Sequence, residues 1–67
     1  MNRSTYYVYM GMVYVCHFNS YELAMRVAQT IYDYLSAFST SNIVVSVKEF
    51  RNGKQYDVCE WSVNNGD

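Results

Sequence analysis

Apolar and polar positions recur with two different periods along this chain, and the change of period marks its elements. Between Asn19 and Phe38 the period is helical. Plotted at about 100° per residue, Ala24, Val27, Ala28, Ile31, Tyr34, Leu35 and Phe38 share one apolar stripe, while Glu22, Arg26, Gln29, Thr30 and Asp33 take the opposite side. Asn19 stands where an N-cap belongs, with Glu22 three residues on to return the bond in a capping-box arrangement. Glu22 and Arg26 form an i,i+4 pair with the acid on the favourable N-terminal side. The pattern predicts an amphipathic helix over about residues 20–38, one face of which has to be buried on something else.

On either side of that helix the period is two. Thr5 to Phe18, TYYVYMGMVYVCHF, is rich in β-branched and aromatic residues and reads as strand. Folded at Gly11-Met12 as a type II′ turn, it pairs Met10 with Val13, Val8 with Val15 and Tyr6 with His17 on one face. The other face pairs Tyr9 with Tyr14, Tyr7 with Cys16 and Thr5 with Phe18. That fold separates an aliphatic from an aromatic face; the alternative is a single strand bent at a glycine bulge. Ile43 to Phe50, IVVSVKEF, is a further strand. Asn52-Gly53 after it is a type I′ turn signal, opening a hairpin over about residues 43–63. Its register sets Val47 against Val58, Val45 against Glu60, Glu49 against Tyr56, Lys48 against Asp57, Ser46 against Cys59 and Val44 against Trp61. Glu60 is the misfit, pointing toward the helix.

The helix stripe and an aliphatic sheet face (Val8, Val13, Val15, Ile43, Val45, Val47, Val58) complete a single two-layer α+β domain over residues 1–67. Its order is ββαββ, or βαββ if residues 5–18 are one strand, with a small antiparallel or mixed sheet and polar tails at 1–4 and 64–67.

Composition changes the picture in one respect. Hydrophobic residues make up 51% of the 67, and aromatic residues 18% with eight tyrosines. One helix on a small sheet cannot cover that much apolar surface, and a chain of this length is marginal as a monomer without a disulfide, a metal or association. The two cysteines, Cys16 and Cys59, show no metal-ligand spacing and are read as free thiols of a cytoplasmic protein. Residues 5–18 are too short for a membrane span and lack the small-residue cleavage site of a secretion signal. The net charge of −1 draws the chain to neither nucleic acid nor an anionic membrane.

Association is therefore the expectation, through the sheet face turned away from the helix. That face is expected to carry Tyr7, Tyr9, Tyr14, Phe18, Val44, Phe50 and Trp61, residue types that concentrate interface energy. The partner is a second copy of the chain, another protein, or both. Base stacking on single-stranded nucleic acid is the alternative, disfavoured because Lys and Arg are sparse around the rings. Secondary contact candidates are Tyr21, Met25 and Tyr32 along one flank of the helix, and Arg51 and Lys54 at the second hairpin's tip. No residues are assigned to catalysis, a cofactor or a metal. His17 is a lone histidine whose neighbour Cys16 points to the other face of a strand, and no carboxylates pair. The expected role is a small non-enzymatic interaction module, of the kind a bacteriophage or mobile element uses to inhibit or adapt a host protein.

Overall fold

The computed structural model describes residues 3–39 and 41–63. The order is β1 (Thr5–Met10), β2 (Val13–Phe18), α1 (Tyr21–Phe38), β3 (Ile43–Arg51) and β4 (Lys54–Val63). The four strands form one antiparallel sheet in the order β2-β1-β3-β4, with α1 laid across one face: the ββαββ arrangement. The terminal tails at 1–2 and 64–67 lie outside the described residues. Ser4, predicted as tail, is instead tied down, its hydroxyl donating to the Glu49 carboxylate.

Both hairpins close as their turn residues dictate. Gly11 takes a φ of +65° while Met12 does not go positive, the pattern of a type II′ turn. Asn52 and Gly53 take φ of 55° and 76°, the pattern of type I′. The Gly11 amide also donates to the Val44 carbonyl at 2.7 Å, binding the first turn to the middle of the sheet.

Beyond the turns, each outer strand carries a bulge that the period-two reading does not foresee. In β2 the pairing follows the expectation through Met10–Val13 and Tyr9–Tyr14, then shifts, so that Val8 pairs with Cys16, Tyr7 with His17 and Tyr6 with Phe18. Val15 is the extra residue. In β4 it holds through Glu49–Tyr56 and Lys48–Asp57, then shifts at Val58 to Val47–Cys59, Ser46–Glu60, Val45–Trp61 and Val44–Ser62. One inserted residue sends every later side chain to the other face. Cys16, Phe18, Cys59 and Trp61 thereby turn to the helix side, and His17 and Glu60 come to the open side. The Glu60 misfit is removed by the bulge.

The fully buried apolar residues are Val8, Ala24, Ala28, Val45, Val47 and Val63, with Tyr6, Phe18, Met25, Ile31, Tyr32, Leu35 and Trp61 packed around them. Small residues at 24 and 28 let the helix backbone come close to the sheet, and the buried arc of α1 is centred on them. It therefore takes in Met25 and Tyr32 and leaves Tyr34 and Phe38 exposed, with rings 4.9 Å apart. Those two were expected inside. Val13 and Val15, also expected under the helix, are exposed because β2 is an edge strand and α1 lies mainly over β1 and β3. The helix cap falls one residue later than expected: the Ser20 hydroxyl accepts from the Leu23 amide at 3.2 Å, and Asn19 stays outside the helix. A serine at this position contributes about 1 kcal/mol. Among the described residues, no helix is long and apolar enough to cross a membrane.

Candidate functional site: the open face of the sheet

The face opposite α1 can be laid out as rows running across the four strands. One row reads His17, Tyr7, Lys48, Asp57 from β2 to β4; the next reads Tyr14, Tyr9, Ser46, Glu60. Thr5, Phe50 and Gln55 lie to one side of these rows, and Val44 with Ser62 to the other. The face is thus divided. Over β2 and β1 it is aromatic, and over β3 and β4 it is mostly polar and acidic.

Tyr7 is the hub of the aromatic half. Its ring centroid lies 5.4 Å from His17, 6.0 Å from Tyr14, 6.3 Å from Phe50 and 6.5 Å from Tyr9. Tyr9 and Tyr14 meet edge-on at 6.3 Å. These are favourable edge and tilted geometries, each adding about 0.5–1.5 kcal/mol beyond area burial. The Tyr14 hydroxyl and His17 Nδ1 are hydrogen-bonded at 2.5 Å, which leaves Nε2 as the ring nitrogen not engaged in that bond. Tyr14, His17 and Phe50 remain exposed.

In the polar half, Lys48 Nζ reaches Asp57 Oδ1 at 2.7 Å. This hydrogen bond raises the Lys48 pKa above its ordinary value, against a smaller opposing effect of burial. Ser46 is the small residue of its row and is only 5% exposed. It floors an open groove of about 730 Å³ walled by Val44, Lys48, Glu60 and the Gly11-Met12 turn.

Of the seven residues expected on this face, Tyr7, Tyr9, Tyr14, Val44 and Phe50 are there. Phe18 and Trp61 are not: the bulges turn them to the helix side, where Trp61 stacks 6.5 Å from Tyr32. His17, Lys48, Asp57 and Glu60 are the members that the unbulged register did not bring together as a site. The acidic residue pointing into the core was the sequence signal that could have revealed the shift in β4.

The secondary candidates fare differently. Met25 and Tyr32 pack on the core and Tyr21 sets its ring edge-on to Tyr6 at 5.8 Å, so this flank is core edge. Arg51 lies 4.9 Å from the Tyr56 ring centroid and 4.0 Å from Glu49, and Lys54 is exposed at the tip. Cys16 and Cys59 are free, on opposite edge strands with β1 and β3 between them. That spacing of about 14 Å, three strand separations, is beyond disulfide reach. Burial pushes the Cys16 thiol pKa up, away from reactivity. Among the described residues, no three His, Cys, Asp or Glu side chains stand close enough to hold a metal ion. Comparison with protein-family models, curated proteins and solved structures finds no match to this chain.

Proposed function

We propose that this is a non-catalytic protein-interaction module that associates with a second copy of itself through the open face of the sheet. The observation that carries the reading is the ring cluster around Tyr7, on the face the helix does not cover, in a chain where the largest fully buried side chains among the described residues are valines. Such a core is thin, and burial of the aromatic face in a complex supplies what it lacks. Base stacking has less support. The rings are turned edge-on to one another, Lys48 is held by Asp57 and Arg51 lies against Tyr56. A role as inhibitor or adaptor of a further protein, of the phage or mobile-element kind, is compatible with the same surface. Widely separated free thiols suit a cytoplasmic setting.

The test is the solution mass by light scattering over a concentration series, for the wild type and for Tyr9→Ser/Tyr14→Ser. The wild type is expected to reach twice the chain mass, and the variant to remain a folded monomer by circular dichroism. A wild type that stays monomeric throughout, or a variant that associates equally well, removes the assignment.

A further inference from the structure

We propose that the two copies stack face to face about a two-fold axis running along the strands, so that His17 of each copy meets Asp57 of the other. This rests on the self-association proposed above and specifies its geometry. The argument begins with area. Four strands about 4.8 Å apart and some six residues long give a flat footprint of ~400 Å². Only the whole face, with its side-chain relief, approaches the ~800 Å² per partner of a stable interface. The aromatic half alone does not suffice, so β3 and β4 have to be covered as well.

Two aligned arrangements cover the whole face. With the axis across the strands, β1 lies on β1 and β4 on β4. Tyrosines then oppose tyrosines within a gap of about 10 Å, and with the axis between the two rows Asp57 of each copy confronts Glu60 of the other. With the axis along the strands, β2 lies on β4 and β1 on β3, and each row faces its own reverse. The row His17, Tyr7, Lys48, Asp57 is then self-complementary, imidazole to carboxylate and ring to ammonium. In the neighbouring row Tyr9 enters the groove over Ser46, and the Tyr14 hydroxyl faces Glu60. Phe50 comes over Thr5. Tyr9 and Phe50 each meet a small residue, and no charged group of the two rows meets a like charge, so the face is complementary to itself as an isologous interface requires.

The hydrogen bonding of His17 fits this arrangement. The Tyr14 hydroxyl engages Nδ1, so Nε2 is the ring nitrogen left for the carboxylate of the second copy. The groups facing His17 within its own chain are Tyr7 and Tyr14; Lys48, two strands away in the same row, is engaged by Asp57.

The experiment is a charge swap read by analytical ultracentrifugation at pH 7. His17→Asp and Asp57→Lys are each expected to raise the dimer Kd at least tenfold, and an equimolar mixture of the two is expected to pair as a heterodimer near wild-type affinity. His17→Lys, which leaves Asp57 in place, is expected to dimerise at least as tightly as the wild type and serves if Asp57→Lys fails to fold. If the wild type dimerises but His17→Asp and His17→Lys behave alike, or the folded mixture pairs no better than its components, the strand-parallel axis is wrong and only face association survives. A wild type that never dimerises overturns both.

Discussion

The two hairpins are near copies in backbone and opposites in chemistry. Each closes on a two-residue turn with glycine at positive φ, pairs antiparallel, and carries a one-residue bulge in its outer strand. Thr5 to Phe18 contains no Asp, Glu, Lys or Arg, whereas the second hairpin holds Lys48, Glu49, Arg51, Lys54, Asp57 and Glu60. Backbone geometry therefore decides which residues reach the open face, and side-chain chemistry decides what each half of it can do. The same contrast governs the edges. β4 is guarded by charges as well as by its bulge, and β2 by its bulge alone.

The largest difference should appear on the helix side, where Val13 and Trp61 end the same cross-strand row. Trp61 packs on the core and on Tyr32, and Val13 is 60% exposed. Trp61→Ala is expected to cost ~3 kcal/mol in urea unfolding, and Val13→Ala under about 0.5 kcal/mol. Comparable losses at the two positions would mean that the packing of Trp61 on Tyr32 and the core adds little to stability.

A smaller effect on stability, with a larger one on solubility, is expected from deleting the bulge residues. Removing Val15 or Val58 leaves every observed pairing intact, because each is the residue without an opposite number. Loss of exposed Val15 should cost a few tenths of a kcal/mol. Loss of Val58, which packs against the core, should cost about 1 kcal/mol. The deletion that straightens uncharged β2 should aggregate, while the one that straightens charged β4 stays soluble. Turbidity and size-exclusion profiles of the two deletions compare them directly; equal solubility would show that the β2 bulge is not what protects that edge.

These bulges also mark how far the sequence could be read. The helix, both turns, the ββαββ order and all pairings between a turn and its bulge follow from local rules, because Gly11, Asn52 and Gly53 fix the geometry next to them. Past Tyr14 and Asp57 the alternation of faces depends on a count that one unpaired residue resets, and nothing local in VYVCHF announces it. In β4 the sequence did carry a warning, since an unbulged ladder buries Glu60, a cost that tertiary packing avoids by the shift. The stripe of α1 was misplaced for a related reason. A helical wheel shows two adjoining apolar arcs, and only the need for small residues at the contact selects the one centred on Ala24 and Ala28. The aromatic face was accordingly legible at Tyr7, Tyr9, Tyr14, Val44 and Phe50, and overextended at Phe18 and Trp61, which lie past the bulges.

The finest test of the contrast between hairpins concerns the one strong ion pair of the polar half. Lys48 and Asp57 are cross-strand neighbours at 2.7 Å, with the lysine side chain 25% and the aspartate 75% accessible. An exposed pair of this kind is worth ~0.2–1 kcal/mol. A double-mutant cycle with Lys48→Met and Asp57→Asn, in the Tyr9→Ser/Tyr14→Ser background to exclude contacts with a second copy, should return a coupling in that range near pH 7. Because the Asp57 hydrogen bond raises the folded-state pKa of Lys48, the contribution is complete below the unfolded lysine value of ~10.4. It is lost as pH rises through the higher folded value. A coupling unchanged well into that alkaline range would show that the pair acts through packing of the lysine stem on the sheet, and the charge contrast between the hairpins would then be a feature of their surfaces rather than of their stability.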